Sequence, residues 1–453
     1  MTIIRRLFIL SWFVILLTGC VSAPRNSNTT VSTQPSPSAT ASPSPANTDT
    51  ASVHITLPLL DALLTDDKFV ARAKQNLKLS DQQIDELKRV ASADVARLRE
   101  ANAEDVDGNG TDAPERAEQQ LRSVLGDQKA RELAALANEY WSKGDTTEAS
   151  GDTVQMLKGP NAVPTDTRVV VNIPAFRMDL FQDGSLVKSY KVGIGYPEFP
   201  LPQGLRKAQQ IIFNPTWTPP DSPWVAKMKN VTPGETVEAG DKLNPLGPIK
   251  IPIGLPSLIH GGKSAAKIGK FASHGCVGLT NAQIKDFAAQ LGQASNTEDV
   301  SAKMDSYLED KEKTQTVKLK QTVPVELRYE TIVLEDGKLH IYKDVYAQDT
   351  NTEANLRSVL EAHGAKFEDL SEQQRTEILN ALNAMSAHPT ATASPSPNAS
   401  PEKKAAAQKK PAKAQNEVVI DLGTVAQKGY PAPVNLDNGS GKPASKPAKT
   451  AKR

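Results

Sequence analysis

Two Asp-Gly pairs constrain this chain most. From Val154 to Val192 the residues alternate: Val169, Val171 and Ile173, then Met178 and Leu180, a break at Asp183-Gly184, then Leu186, Lys188, Tyr190 and Val192. Alternation at period two makes a half-buried strand. Asp-Gly supplies the positive-φ residues of a tight turn, so the spacing predicts a β-hairpin. The pattern returns as Ile332 and Leu334, Asp336-Gly337, then Leu339 and Ile341. Between the hairpins lie short strands and Pro/Gly-rich loops. One helix stands out there, capped by Thr280 or Asn281, with Ile284, Phe287, Ala288 and Leu291 at helical spacing and Gly292 as its stop.

The flanks read differently. From 53 to 150 the pattern is helical, with LSDQQIDEL (Leu79–Leu87) and LGDQKAREL (Leu125–Leu133) as similar helix starts, and LSEQQRTEIL (Leu370–Leu379) recurring in a helical segment over 350–387. The spacing is too irregular for a repeat array. This helical domain is either a packing unit or the surface for an envelope protein partner. A charged, helical insertion is expected over about 296–318. Residues 21–52 form a disordered Ser/Thr/Pro tether, and 388–453 a low-complexity tail rich in Lys, Pro and Ala, with one strand-like piece at Glu417–Val425. The tail's lysines either lie against anionic envelope polymers or stay solvated. Only 38% of the 453 residues are apolar and 32 are proline, which fits so much linker. A net charge of +1 argues against a general polyanion binder, and no nucleic-acid partner is expected.

The chemistry concentrates in Ile259–Asn281, IHGGKSAAKIGKFASHGCVGLTN. This window holds one of the two cysteines, Cys276, and two of the six histidines, His260 and His274. A nucleophilic thiol needs a base, a group that orients the base, and backbone N–H groups near a developing oxyanion. Ser273, Gly261, Gly262, Gly275 and Gly278 complete such a set. Asp105, Asp107, Asn109 and Gly110 match half of an EF-hand loop, but Arg116 stands where its bidentate Glu belongs, so a solvated turn is preferred. No metal or organic cofactor is expected.

His260-Gly261 followed by Ser273-His274-Gly275-Cys276 resembles the signature of the L,D-transpeptidase catalytic domain, the cysteine enzymes of peptidoglycan cross-linking. VVVNIPAFRMDLF (Val169–Phe181), KVGIG (Lys191–Gly195), NPTWTPP (Asn214–Pro220) and NPLGPIKI (Asn244–Ile251) resemble further pieces of it in order. The resemblance covers 154–346. It implies an α+β multidomain chain whose mainly-β catalytic domain is flanked by helical segments and disordered linkers. Cys276 would be the nucleophile, His260 the general base, His274 and Ser273 orienting groups, and Gly275 part of the oxyanion hole. The substrate groove would include Gly261 and Asn281. Trp217 either walls that groove or packs on the sheet. The family carries an arginine two residues after the cysteine; here Gly278 stands in that place.

Residues 1–20 read as an export signal: Arg5-Arg6, an apolar run from Leu7 to Leu17, then Leu17-Thr18-Gly19-Cys20, which resembles a lipoprotein lipobox. Lipidation of Cys20 would anchor the chain to a membrane of the bacterial cell envelope, facing the periplasm in a Gram-negative cell. Cys276 would then be the one remaining thiol of an exported protein, unable to form an intramolecular disulfide.

The expected function is L,D-transpeptidation: acyl transfer from a peptidoglycan stem tetrapeptide, with release of D-Ala. The alternatives are hydrolysis by the same machinery, as an L,D-carboxypeptidase or endopeptidase, and a non-catalytic envelope-binding lipoprotein.

Overall fold

The computed structural model describes residues 55–101, 112–143, 155–220, 225, 228–254, 257–389, 416–423 and 429–440. Cys20, the tether, the EF-hand-like Asp105–Gly110 and the tail lysines lie outside the described residues. The first described elements are helices: α1 (Leu57–Leu64), α2 (Asp67–Leu77), α3 (Asp81–Ala101), α4 (Asp112–Leu125) and α5 (Asp127–Lys143). Each turns its apolar stripe inward, so that Leu60, Phe69, Leu87, Leu121 and Leu133 share one buried cluster.

The central element is a curled eight-stranded sheet. Its strands are β1 (Arg168–Asn172), β2 (Arg177–Gln182), β3 (Ser185–Lys191), β5 (Gly204–Phe213), β6 (Ile249–Pro252), β7 (Leu258–His260), β9 (Val277–Gly278) and β10 (Gln315–Arg328), in the order β3-β2-β1-β10-β5-β6-β7-β9. Two short strands, β4 (Ile194–Gly195) and β8 (Phe271–Ser273), pair separately in parallel. The β2–β3 turn is the expected one, with Asp183 at φ 48° and Gly184 at φ 78°. β1 meets β10 in parallel, Val169 opposite Val325. Across that pairing Glu326 takes Arg168 at 2.5 Å and Arg328 at 2.9 Å, so the buried charges are neutralised within the sheet.

Helix α6 (Asn281–Ala294) covers one face, burying Ile284, Phe287, Ala288 and Leu291 against Val169, Met178 and Ile259. Its cap is Thr280, in a reciprocal capping box with Gln283. Gly292, expected as the stop, lies inside the helix. A Cβ there would meet Val300 Cβ at 2.6 Å, so the glycine makes room for α7 (Asp299–Glu309) instead of ending α6. The expected helical stretch to about 318 also ends early. Gln315–Lys318 are strand, because β5 offers them a ladder from Gln315–Phe213 to Lys318–Gln210.

The boundary expected at 346 is not where the fold divides. β11 (Ile332–Glu335) and β12 (Lys338–Tyr342) leave the large sheet and pair with β13 (Glu417–Asp421). Helices α8 (Glu353–Ala362) and α9 (Glu372–Met385) close over them around Leu334, Ile341, Leu356 and Ile378. The tail is likewise not low-complexity throughout. Besides β13, the segment 429–440 lies along the outer edge of β3. Ser189 N–H donates to Val434 O at 2.9 Å, Lys191 N–H to Asp437 O at 2.8 Å, and Asp437 N–H returns to Ser189 O at 2.9 Å.

The helical region packs on the sheet through α5 and β5. Arg206 of β5 is fully buried and donates to the carbonyls of Gly254, at 3.1 Å, and Trp141 of α5. Thr56, capping α1, donates to Glu198 O at 2.9 Å, and Arg116 of α4 pairs with the Glu198 carboxylate at 2.6 Å. Among the described residues no helix is long and apolar enough to cross a membrane.

Candidate active site

The site forms along two short parallel strands. β7 and β9 pair with Ile259 opposite Val277 and His260 opposite Gly278, so Cys276, immediately before β9, stands level with Leu258, two residues before His260. The apolar residues on either side, Ile259 and Val277, are fully buried and fix the register. His260 itself is 3% exposed. Its Nδ1 lies 2.7 Å from Gly261 O. A carbonyl only accepts, so Nδ1 carries the proton and donates, which leaves Nε2 with the lone pair.

Three glycines answer local demands. Gly275 sits at φ +93°, a backbone conformation that favours glycine, and lets the chain turn from His274 into Cys276. A Cβ on Gly261 would come within 2.8 Å of Ile284 of α6. The third, Gly278, leaves space that the Lys263 side chain fills: a Cβ there would stand 2.8 Å from its Cγ and 2.9 Å from its Cε.

The structure gives several of the expected residues more specific places. Ser273 Oγ accepts from Cys276 N–H at 3.1 Å and donates to Cys276 O, closing the turn that carries Cys276. His274 packs between Tyr196, 5.2 Å between centroids, and the edge-on ring of Phe199 at 4.9 Å. Asn281 accepts from Gly262 N–H at 2.8 Å through Oδ1, pinning the loop after His260. Trp217 is 8% exposed and packs with Val225 and Leu246 in a small cluster apart from the main sheet core.

Tyr196, Phe199 and Lys263 were not singled out in the sequence. Tyr196-Pro197-Glu198-Phe199-Pro200 carries the same aromatic–proline character as the loop around Trp217, and that was the available signal. For Lys263 there was none.

Electrostatics set the resting protonation. Burial pulls both imidazoles down to about 3, and Lys263 adds to this for each; for His260 the Gly261 and Leu246 carbonyls lean the other way. Burial also pushes the Cys276 thiol up from 9.0, against the opposing pull of the Leu258 N–H and Lys263. The site thus rests with a neutral thiol and neutral imidazoles, protonation states suited to general-base delivery of a thiolate to a bound electrophile. Among the described residues no cluster of His, Cys, Asp and Glu could hold a metal ion.

Residues 166–317 match the family model of YkuD, the L,D-transpeptidase catalytic domain. No curated protein matches the chain. Several solved structures are similar. The catalytic domain of the E. faecium L,D-transpeptidase, solved by NMR, is 16% identical over 37% of this chain and 100% of its own, with a TM-score of 0.24. An L,D-transpeptidase from Mycobacterium smegmatis is 14% identical over 36% of this chain and 58% of its own, TM-score 0.23. One from Mycobacterium tuberculosis H37Rv is 14% identical over 36% of this chain and 57% of its own, TM-score 0.21. The avibactam carbamoyl enzyme of Ldtfm is matched over 49% of its length, so the chain spans about half of that protein.

Proposed function

We propose that this chain, through the L,D-transpeptidase catalytic domain it carries at 166–317, transfers acyl groups between peptidoglycan stem peptides. The observation that supports this reading is the β7–β9 pairing, which joins the strand carrying His260 to the residues that directly follow Cys276, with the imidazole Nδ1 tied to Gly261 O. In the first step His260 Nε2 takes the thiol proton as Sγ attacks the carbonyl of the third residue of a stem tetrapeptide. The tetrahedral intermediate collapses as protonated His260 returns that proton to the departing D-Ala amine, which leaves a thioester on Cys276 and a neutral imidazole. In the second step an acceptor amine attacks the thioester, His260 accepts its proton, and an amide forms as the thiol is regenerated.

The Cys276 N–H is engaged by Ser273 Oγ in the resting site. The Gly275 N–H, with no acceptor among the described residues, is therefore the first donor offered to the oxyanion. Ser273 holds the nucleophile's backbone, and His274 holds the wall formed by Tyr196 and Phe199. We assign Cys20 as the lipid attachment site that keeps the domain at the envelope; loss of palmitate labelling in Cys20→Ala is the check.

The test of the activity is intact-mass analysis of the chain after Cys20 incubated with disaccharide-tetrapeptide, beside Cys276→Ala. A cross-linked dimer with loss of D-Ala, absent in the variant, is the expected result. Tripeptide alone would replace transfer by hydrolysis. Unaltered substrate with no adduct on Cys276 would overturn the enzymatic reading.

A further inference from the structure

Several cations of the large sheet have partners. Arg168, Arg177 and Arg328 sit in carboxylate pairs, Lys188 reaches Asp286 at 3.5 Å, and Lys250 donates to Thr216 O at 3.1 Å. Lys263 differs. It is half-buried, and among the described residues no carboxylate lies within ion-pair distance of it. Its backbone is fixed, N–H to Leu279 O at 3.1 Å, and its stem crosses the bare Cα of Gly278, two residues after Cys276. The groups that face it electrostatically are Cys276, His260, His274 and Lys267, of which none carries a resident negative charge in the resting site. Lys267 is turned to Tyr196, with Nζ 3.4 Å from its hydroxyl and 5.9 Å from its ring centroid.

A desolvated ammonium without a counter-ion is costly, and a protein keeps one where a ligand supplies the anion. From this geometry we infer that Lys263 is the anion anchor beside Cys276 and selects electrophiles that carry a carboxylate next to the reacting carbon. The inference rests on the acyl-transfer reading for its substrate, whose scissile amide is followed by a free terminal carboxylate. Gly278 belongs to the same device: its missing side chain is the channel through which Lys263 reaches the site. Gly278 does not have a positive φ, so Gly278→Ala displaces the lysine without straining the backbone.

The experiment needs only the thiol. Iodoacetate and iodoacetamide differ by a carboxylate against a neutral amide. In both, the Cys276 thiolate displaces iodide, forming S–C and breaking C–I. Rates on the full chain, each divided by the rate with free cysteine, give an iodoacetate-to-iodoacetamide ratio. That ratio should fall roughly tenfold in Lys263→Met, the scale of one charge-assisted hydrogen bond. It should fall similarly in Gly278→Ala and be retained in Lys263→Arg. The iodoacetamide rate in the same samples reports that the site is folded. A ratio unchanged in Lys263→Met, or both rates falling together, would overturn the anchor. A second arm compares stem tetrapeptide with its C-terminal amide; preference for the acid should vanish in Lys263→Met. If neither peptide turns over in any variant, acyl transfer is refuted while the alkylation ratio still decides the role of Lys263.

Discussion

The pH dependence of Cys276 reactivity distinguishes two ways of making a cysteine nucleophile. In an imidazolium–thiolate pair the thiol ionises below neutrality, and its alkylation rate is level between the two titrations. The structure predicts the other case. With its imidazole held down to about 3, His260 has no positive charge to lend above pH 5, and the thiol stands above 9.0. A thiol at 9.0 is about 1% ionised at pH 7, and each further unit removes another tenfold, or about 1.4 kcal/mol. Iodoacetamide alkylation followed by intact mass from pH 5 to pH 10 should therefore rise about tenfold per pH unit through neutrality, with no inflection near the ordinary imidazole value of 6.5. A plateau between pH 6 and pH 8 would refute the neutral resting pair, and with it the argument that Lys263 keeps its charge for a substrate.

Three further outcomes follow from the same geometry. His260→Ala should slow acylation of Cys276 by a carbapenem at pH 7 by about a hundredfold or more, yet leave iodoacetamide alkylation at pH 10 nearly unchanged, since hydroxide in solution then removes the thiol proton; equal losses in both assays would remove His260 as base. Gly292→Ala should destabilise the fold by about 1–2 kcal/mol: helix propensity favours alanine by about 1 kcal/mol, but a Cβ 2.6 Å from Val300 costs more. Higher chemical-denaturation stability for the variant would contradict this. Finally, His260 and His274 are neutral in the fold while an unfolded chain protonates them below 6.5, so unfolding takes up protons. Their stabilising contribution is complete above 6.5 and is lost as pH falls toward 3; a Tm level from pH 7 to pH 5 would argue against it.

What could be read in the sequence was what neighbours in the chain decide. Asp183-Gly184 and Asp336-Gly337 adopt the positive-φ turn their chemistry favours, φ 48° and 78°, then 46° and 81°. The Thr280 cap is local in the same way. Pairings between distant segments left no such mark. Nothing in Glu417–Asp421 says that its partner is Lys338–Tyr342, and so the hairpin at 332–342 was assigned to the catalytic sheet and the tail to linker. The charged run to Lys318 has helical composition, but its last residues became strand because β5 had unmet backbone groups to offer. Gly292 looked like a stop because a glycine's use for close packing is visible only once Val300 is in place. Lys263 was missed for the same reason: its neighbour is not the residue beside it in sequence but the bare backbone of Gly278.

The segment at 429–440 has a consequence for how the protein is made. β3 is the outermost strand of the large sheet, and the backbone that covers it comes from Val434 and Asp437, with Val434 some 245 residues downstream of Ser189. A ribosome delivers β1 to β3 long before it delivers their cover. Throughout that interval Ser189 and Lys191 present open N–H and C=O groups, a template on which another nascent chain can pair. Proteolysis of the C-terminal region would reopen the same edge in the finished protein. Integrity of the segment at 429–440 thus guards the sheet against self-association, and fragments that stop at Tyr346 would carry Cys276 on a sheet with an unprotected flank.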